Sequence, residues 1–415
     1  MLLLHSLTLL LLFGYDVFAA PTSSPIQQQR RSFKVGRVRR DGYIPHGSTA
    51  LRRAYHKYGI IPRDSGWDSL DFEPAKQTRS ADASGSVSAT STGSEFVCPV
   101  KIGGQTLVLD FDTGSADMWI MNSQLPPEAT VGHTVFDTSR SPSFKLMEGA
   151  SFNISYGDSS FSYGPVGTDT VDIGGTVVEN QAFGLPTALS DSFIHDTASN
   201  GLVGLAFSSL STVKPEKQKT FFENVAESLD EPVMTSLLKG GSGGEYEFGT
   251  IDTAKYQGEM INISVDVSNG FWQFESAKFS IGDGNGDLQD IKTPTSIVDT
   301  GTSLMLVSPE VAEAYYAQVE GAVLSNGAGG FVYPCDSELP SLFVALGGEG
   351  MARIPGSDMT FGHAGTNITT GQALCFGGLQ SNQGSNLQIY GDTFLKSLFV
   401  VFDMRGPSLR MAVPA

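Results

Sequence analysis

Two short segments carry the side chains with the clearest chemical potential. Leu109-Asp110-Phe111-Asp112-Thr113-Gly114-Ser115 is echoed by Ser296-Ile297-Val298-Asp299-Thr300-Gly301-Thr302, and each Asp-Thr-Gly follows a β-prone run. Each copy is answered downstream by two apolar or aromatic residues and a glycine, Leu202-Val203-Gly204 and Ile389-Tyr390-Gly391. From Asp to closing Gly the interval is the same, since 204 minus 112 and 391 minus 299 both give 92. One Asp ahead of a Gly is usually turn chemistry. Two copies with matched partners at equal intervals read instead as a duplicated lobe. Two aspartates held close together cannot both ionise easily, so such a pair can divide the work of acid and base.

The elements that must position these residues are mostly strands. Phe96-Val97-Cys98-Pro99-Val100-Lys101-Ile102, the turn Gly103-Gly104 and residues 106–111 form a hairpin signal. Phe152-Asn153-Ile154-Ser155-Tyr156 precedes another turn, and residues 170–173, Gly174-Gly175 and Thr176-Val177-Val178 repeat the pattern. Helical signals are few; residues 219–229 and 309–319 are the best, the second opening on a proline. The fold class expected is mainly β, with frequent glycine turns.

Composition bounds the function. The chain has 415 residues, with 44 acidic against 26 basic side chains, a formal net charge of −18. That length supports a large core and two or three domains. The acidity argues against a nucleic-acid binder. Three cysteines are too few for a disulfide scaffold or a Cys-rich zinc module. Residues 2–13 are almost wholly apolar and Ala19-Ala20 follows, which reads as a signal peptide over residues 1–20, with a buried N-terminal core segment as the alternative. The apolar run is too short to span a bilayer, and no later stretch is long enough, so an exported protein without membrane attachment is expected. Three glycosylation sequons, at Asn153, Asn262 and Asn367, fit export.

The charge is unevenly divided. Residues 21–79 hold twelve Lys and Arg against five acids, a net +7. From residue 80 onward fourteen basic residues face thirty-eight acidic ones, a net −24. A basic arm tied to an acidic body should lie on it at neutral pH and loosen as carboxylates protonate. We read residues 21–79 as a propeptide that masks something acidic; a solvated basic tail is the competing reading. Residues 80–95 are rich in Ser, Thr, Ala and Gly and suit a linker where processing occurs.

From about Glu95 to the end, the chain resembles the pepsin-like aspartic proteases, and most nearly the secreted fungal penicillopepsin and aspergillopepsin group. The resemblance rests on Asp112-Thr113-Gly114-Ser115 with Trp119 seven residues beyond Asp112, on Asp299-Thr300-Gly301-Thr302-Ser303, and on Tyr156-Gly157-Asp158. It also rests on residues 200–207 around Leu202-Val203-Gly204, and on Gly391-Asp392 ahead of Val400-Val401-Phe402-Asp403. It implies two duplicated β lobes, residues 80–255 carrying a flap and residues 256–415, with the cleft between them. It implies Asp112 and Asp299 as the catalytic pair acting on a bound water, with no metal, cofactor or covalent intermediate. Gly114 and Gly301 would let backbone approach the carboxylates, and Ser115 and Thr302 would bond them. Tyr156 and Gly157 would sit on the flap, the Tyr156 hydroxyl bonding Trp119. Asp158 would let a Lys sit before the scissile bond, beside the usual large apolar residues. Lys57, in Ala54-Tyr55-His56-Lys57-Tyr58-Gly59, resembles the propeptide lysine that reaches the catalytic aspartates in related zymogens. Cys335 and Cys375 match a pair that the family bridges. Cys98 departs from the fungal pattern, which usually has Thr there, and reads as a buried free thiol. The partners implied are protein and peptide substrates and the chain's own propeptide; a monomer is expected.

Other motifs compete poorly. Gly240-Gly241-Ser242-Gly243-Gly244 satisfies a nucleophile-elbow pattern without its strand–turn–helix setting. Asp283-Gly284-Asn285-Gly286-Asp287 starts like a calcium loop, but Leu288 stands where the turn Gly belongs and no Glu closes it. No His-Glu-x-x-His run supports a zinc protease. The second function class is a catalytically silent binding protein on the same fold. Such relatives usually lose an Asp or the flap Tyr, and here Asp112, Asp299 and Tyr156 are all present.

Overall fold

The computed structural model describes residues 31–39, 45–62, 72–74, 96–155, 161–239, 243–284, 286–348 and 350–415. The segments read as signal peptide and linker, and the flap residues Tyr156, Gly157 and Asp158, lie outside these.

The first lobe is built on a nine-stranded sheet. Its opening hairpin pairs Phe96–Ile102 with Gln105–Asp112 in the register Ile102 to Gln105, so the strands break where Gly103-Gly104 predicted a turn. Alternate residues of the second strand, Leu107, Leu109 and Phe111, turn inward and are buried. The long strands Lys145–Ser155, Phe161–Ile173 and Thr176–Gly184 follow as an antiparallel meander. The second lobe holds sheets of five, four and five strands. Phe274, Ile297, Met305, Val344, Phe361 and Ile389 are among its buried side chains. The fold is bilobal, mainly β and pepsin-like.

A six-stranded sheet ties the lobes together. Its order is Phe33–Gly36, Gly243–Phe248, Val233–Lys239, Phe399–Asp403, Ser408–Pro414 and Tyr256–Ser264. Strands from both sides of residue 255 therefore share one ladder, and the basic arm supplies an edge strand. The arm strand alternates buried and exposed residues, with Phe33 stacked on Phe248 at 4.7 Å. Burying the alternate Phe33 and Val35 while Lys34 stays in water is what a one-sided strand requires.

The helices are short. The run expected over residues 219–229 forms Phe221–Val225 and a following 3₁₀ turn, capped by Thr220 and Glu223 in a reciprocal capping box. The run expected over 309–319 forms Pro309–Tyr316. An eleven-residue helix, Gly47–Lys57, was not foreseen; its buried residues Leu51, Ala54 and Tyr55 show i, i+3, i+4 spacing. Cys335 and Cys375 are disulfide-bonded across 40 residues, and Cys98 is a buried free thiol. Closing a loop of that length is worth about 4 kcal/mol in the chain-entropy treatment. Among the described residues no helix is long and apolar enough to cross a membrane.

Candidate active site

Both Asp-Thr-Gly turns project from strand ends into the space between the lobes. Asp112 closes its strand and lies opposite Gly204 in a parallel pair, and Leu205 N–H donates to the Asp112 carbonyl at 2.8 Å. Asp299 follows the strand Thr295–Val298, which pairs in parallel with Gln388–Tyr390, and its N–H donates to the Tyr390 carbonyl at 3.1 Å. The equal sequence intervals are thus equal strand pairings: each Asp is held beside the strand that its partner motif provides.

The two turns lock to each other through their threonines. Thr113 N–H donates to Thr300 Oγ1 at 3.1 Å, and Thr300 N–H donates to Thr113 Oγ1 at 3.0 Å. Each hydroxyl then donates to a carbonyl of the opposite turn's strand, Thr113 Oγ1 to Val298 at 2.9 Å and Thr300 Oγ1 to Phe111 at 2.7 Å. Four buried hydrogen bonds related by a pseudo-twofold axis fix the separation of the lobes at this point. The glycines that follow face the opposing carboxylates. A side chain on Gly114 would strike Asp299, and one on Gly301 would meet Asp112 Oδ1 at 2.5 Å. Only a residue without Cβ permits the approach.

Asp112 and Asp299 are 1% and 0% exposed. Asp112 Oδ1 accepts from Gly114 N–H at 2.8 Å, and its Oδ2 accepts from Ser115 Oγ at 2.6 Å. Asp299 repeats this with Gly301 N–H at 3.0 Å on Oδ1 and Thr302 Oγ1 on Oδ2.

Between them lies a cation from the N-terminal arm. Lys57 Nζ donates to Asp112 Oδ1 at 2.6 Å and to both oxygens of Asp299 at 3.0 Å. The next residue adds to it, with Tyr58 Oη donating to Asp299 Oδ2 at 2.6 Å. Burial would lower the Lys57 pKa, but the two carboxylates outweigh it and the net shift is upward. Burial raises Asp112, Lys57 lowers it, and the facing Asp299 adds to the rise, so the net shift is upward. For Asp299 burial also raises, but Lys57, the hydrogen bond with Asp112 and then the Thr302 and Tyr58 hydroxyls prevail, and the net shift is downward. Each carboxylate acts on the other, and they titrate as a pair.

A second arm cation is buried close by. Arg37, with a side chain 4% exposed, donates to Asp392 Oδ2 at 3.2 Å and lies over the Tyr246 ring. Asp392 is the acid of Gly391-Asp392, directly after the strand that flanks Asp299. Burial raises its pKa, and Arg37 opposes that.

The remaining expected residues are distributed as follows. Trp119 is buried on Met118–Ile120, and its indole N–H has no acceptor among the described residues. The expected bond from Tyr156, like the positions of Gly157 and Asp158, lies outside the described residues. Asn153 and Asn262 are exposed, and Asn367 is half-buried. Thr113, Thr300, Tyr58 and Arg37 were absent from the expected set. The threonines carried a signal, since both repeats hold Thr at the same place. Arg37 carried none, because its partner lies 355 residues away.

A bilobal β fold with one Asp-Thr-Gly turn per lobe, meeting over a cleft, defines the aspartic peptidase class. The family model for eukaryotic aspartyl protease matches residues 95–413. A putative aspergillopepsin A-like aspartic endopeptidase of Aspergillus fumigatus is 57% identical over 99% of both chains. An aspartic protease of Coccidioides posadasii is 47% identical over 99% of this chain and 96% of its own. Aspergillopepsin-1 of Aspergillus flavus is 41% identical over 95% of this chain and 94% of its own. The chain belongs to the eukaryotic aspartyl protease family and is an aspartic endopeptidase.

The threonine lock generates a prediction. Thr113→Val or Thr300→Val removes a hydroxyl that both donates and accepts, leaving a buried N–H and a buried carbonyl without their partner. Each orphaned group costs about 1–3 kcal/mol. Thermal unfolding followed by calorimetry should show a clear fall in midpoint for either variant, with peptidase activity reduced. An unchanged midpoint for both would remove the lock from the account of the interface.

Proposed function

We propose that this chain is an exported acid endopeptidase made as a zymogen, in which Asp112 and Asp299 activate water and residues 21–79 are the inhibitory propeptide. The observation that carries the reading is the ammonium of Lys57 seated between the two buried carboxylates. A substrate carbonyl and its water have to occupy that space, so the docked arm excludes both. In this reading the protein acts as a monomer on protein and peptide substrates, and Asn153, Asn262 and Asn367 are glycosylation candidates.

With the arm gone, the pair holds one proton. The ionised carboxylate takes a proton from the bound water as that oxygen bonds to the carbonyl carbon. The protonated carboxylic acid gives its proton to the carbonyl oxygen, producing a neutral gem-diol. The diol then collapses: the C–N bond breaks, the leaving nitrogen takes the proton gained from water, and a diol hydroxyl returns its proton to the other carboxylate. The pair ends with one proton, as it began. Ser115, Thr302 and the N–H groups of Gly114 and Gly301 orient the carboxylates throughout. Asp112→Asn and Asp299→Asn should each abolish cleavage of a denatured protein at acid pH with strand content unchanged by circular dichroism. Appreciable turnover by either purified variant rules out the pair as the catalytic centre.

Arm release follows from the sign of the shifts. Lys57 favours the ionised forms of both carboxylates, so its docking is fully supported while they are charged and weakens as the pair takes up protons. Burial favours the protonated form of Asp112, so the pair takes up a proton as pH falls. Asp392, also raised by burial, gives the Arg37 anchor the same direction. Docking is therefore strongest near neutrality and lost toward acid. Lys57→Met should shift zymogen processing to higher pH, whereas the exposed Arg52→Met should shift it less. Equal small shifts, read from gels across a pH series, would mean that general charge and no specific pin holds the arm.

Specificity is part of the same proposal. Large apolar residues are favoured around the scissile bond, and Asp158 accepts Lys before it by pairing the ammonium. Asp158→Ser should lose cleavage after Lys and keep cleavage after Phe or Leu. A parallel fall in both kcat/KM values makes Asp158 a turn residue only.

A further inference from the structure

His133 lies outside the catalytic constellation, in the turn after the short helix Pro127–Thr130. Its ring makes two contacts: Nδ1 is 3.0 Å from the Ser199 carbonyl oxygen, and Nε2 is 2.9 Å from the Ile194 carbonyl oxygen. A carbonyl oxygen only accepts. A neutral imidazole has one N–H, so it can serve one of these oxygens and must turn a lone pair on the other. Only the imidazolium donates to both. The other histidines with described ring contacts do not have this constraint. His46 Nδ1 faces the hydroxyls of Ser48 and Thr49, which can donate to it, and His195 Nδ1 faces a single carbonyl, that of Asp191.

The two oxygens lie at the ends of one segment. Residues 194–199 run from the short helix Asp191–Ile194 back to the strand Gly201–Gly204 that flanks Asp112. Phe193 packs edge-on against Trp119, with ring centroids 5.1 Å apart. Phe193, Asp196 and Ser199 join Asp110, Trp119 and Leu202 in lining a concave pocket. Asp110 lies two residues before Asp112, and Leu202 two before Gly204, so the pocket adjoins the catalytic floor. The turn bearing His133 closes directly on the segment, since a side chain on Gly132 would meet Thr197 at 2.9 Å.

We propose that His133 is a positioning residue, a staple that fixes the pocket wall of residues 193–199 when its ring is doubly protonated. Both ring nitrogens have to donate for the staple to close, because both of their partners are carbonyl oxygens. The charged residues nearest in sequence on its own side are Glu128 and Asp137, and the stapled segment and the short helix before it carry Asp191, His195 and Asp196. Asp110 faces the same pocket. Arg53 of the arm lies 3.9 Å from Asp196 and departs with the arm. As pH rises one carbonyl loses its donor, the wall loosens, and a substrate side chain in the pocket loses its support. The catalytic consequence rests on the endopeptidase reading; the staple itself does not.

Amide hydrogen exchange on the processed protein at pH 4 and pH 6.5, corrected for intrinsic rates, tests the staple without using catalysis. Protection across residues 193–200 should fall about tenfold between the two, as expected for losing one charge-assisted hydrogen bond, while Thr295–Val298 holds its protection. In His133→Phe the segment should be weakly protected at both pH values. In parallel, KM for a peptide with a bulky apolar side chain should climb with pH in the wild type and be high and flat in His133→Phe, with kcat little changed. Equal wild-type protection at both pH values overturns the proposal, and needs no variant. So does a His133→Phe protein that keeps the wild-type pH step. A protein that shows the step but cleaves nothing would support the staple and sink the endopeptidase reading; a competent peptidase lacking the step would do the reverse.

Discussion

Two carboxylates buried together repel, and burial further penalises the charge of each. That constraint organises the centre of this molecule. Asp112 and Asp299 are both essentially inaccessible, yet each receives a backbone N–H, a hydroxyl and the Lys57 ammonium. Such partners offset desolvation without neutralising the pair. The threonine lock beneath keeps the two turns from separating, and the glycines beside it keep side chains out of the gap. Removing any one of these arrangements would leave charge or polarity buried without compensation.

The arm answers the same constraint from outside. It reaches the body at several places: the edge of the six-stranded sheet, the buried Arg37–Asp392 pair, and the helix that delivers Lys57 and Tyr58. A buried ion pair is weak evidence of stability, because desolvation cancels much of the attraction. Its value here is conditional. Both anchors require carboxylates in the ionised form, and burial raises the pKa of Asp112 and of Asp392. Attachment therefore begins to weaken at a higher pH than surface attraction between a +7 arm and a −24 body would by itself.

The duplicated halves are not used identically. Backbone N–H and hydroxyl contacts to the two aspartates match across the pseudo-twofold axis, but Ser115 stands opposite Thr302, and Tyr58 reaches Asp299 alone. The arm is a single copy docking on a doubled site, so it must break the symmetry.

Much of the site was legible because it is local and repeated. Asp-Thr-Gly is a turn of three residues, its pairing strand carries a Leu-Val-Gly or Ile-Tyr-Gly sign, and the doubling exposes both. The 103–104 hairpin and the β class follow from residue types acting over a few positions. Charge asymmetry also survives in sequence, since net charge does not depend on fold. The cross-lobe hydrogen bonds of Thr113 and Thr300 could not be read off, because each joins residues about 185 positions apart. The Gly47–Lys57 helix escaped notice for a related reason: it has no acidic first turn or side-chain cap, and its apolar face finds its partners in the distant second lobe. The same holds for Arg37 and for His133, whose neighbours are supplied by remote strands and loops. Sequence determined which chemical groups the chain has and the short turns that present them. Tertiary structure decided which of those groups share a buried space, and so which protons and charges depend on one another, because Coulomb and hydrogen-bond energies follow distance in space.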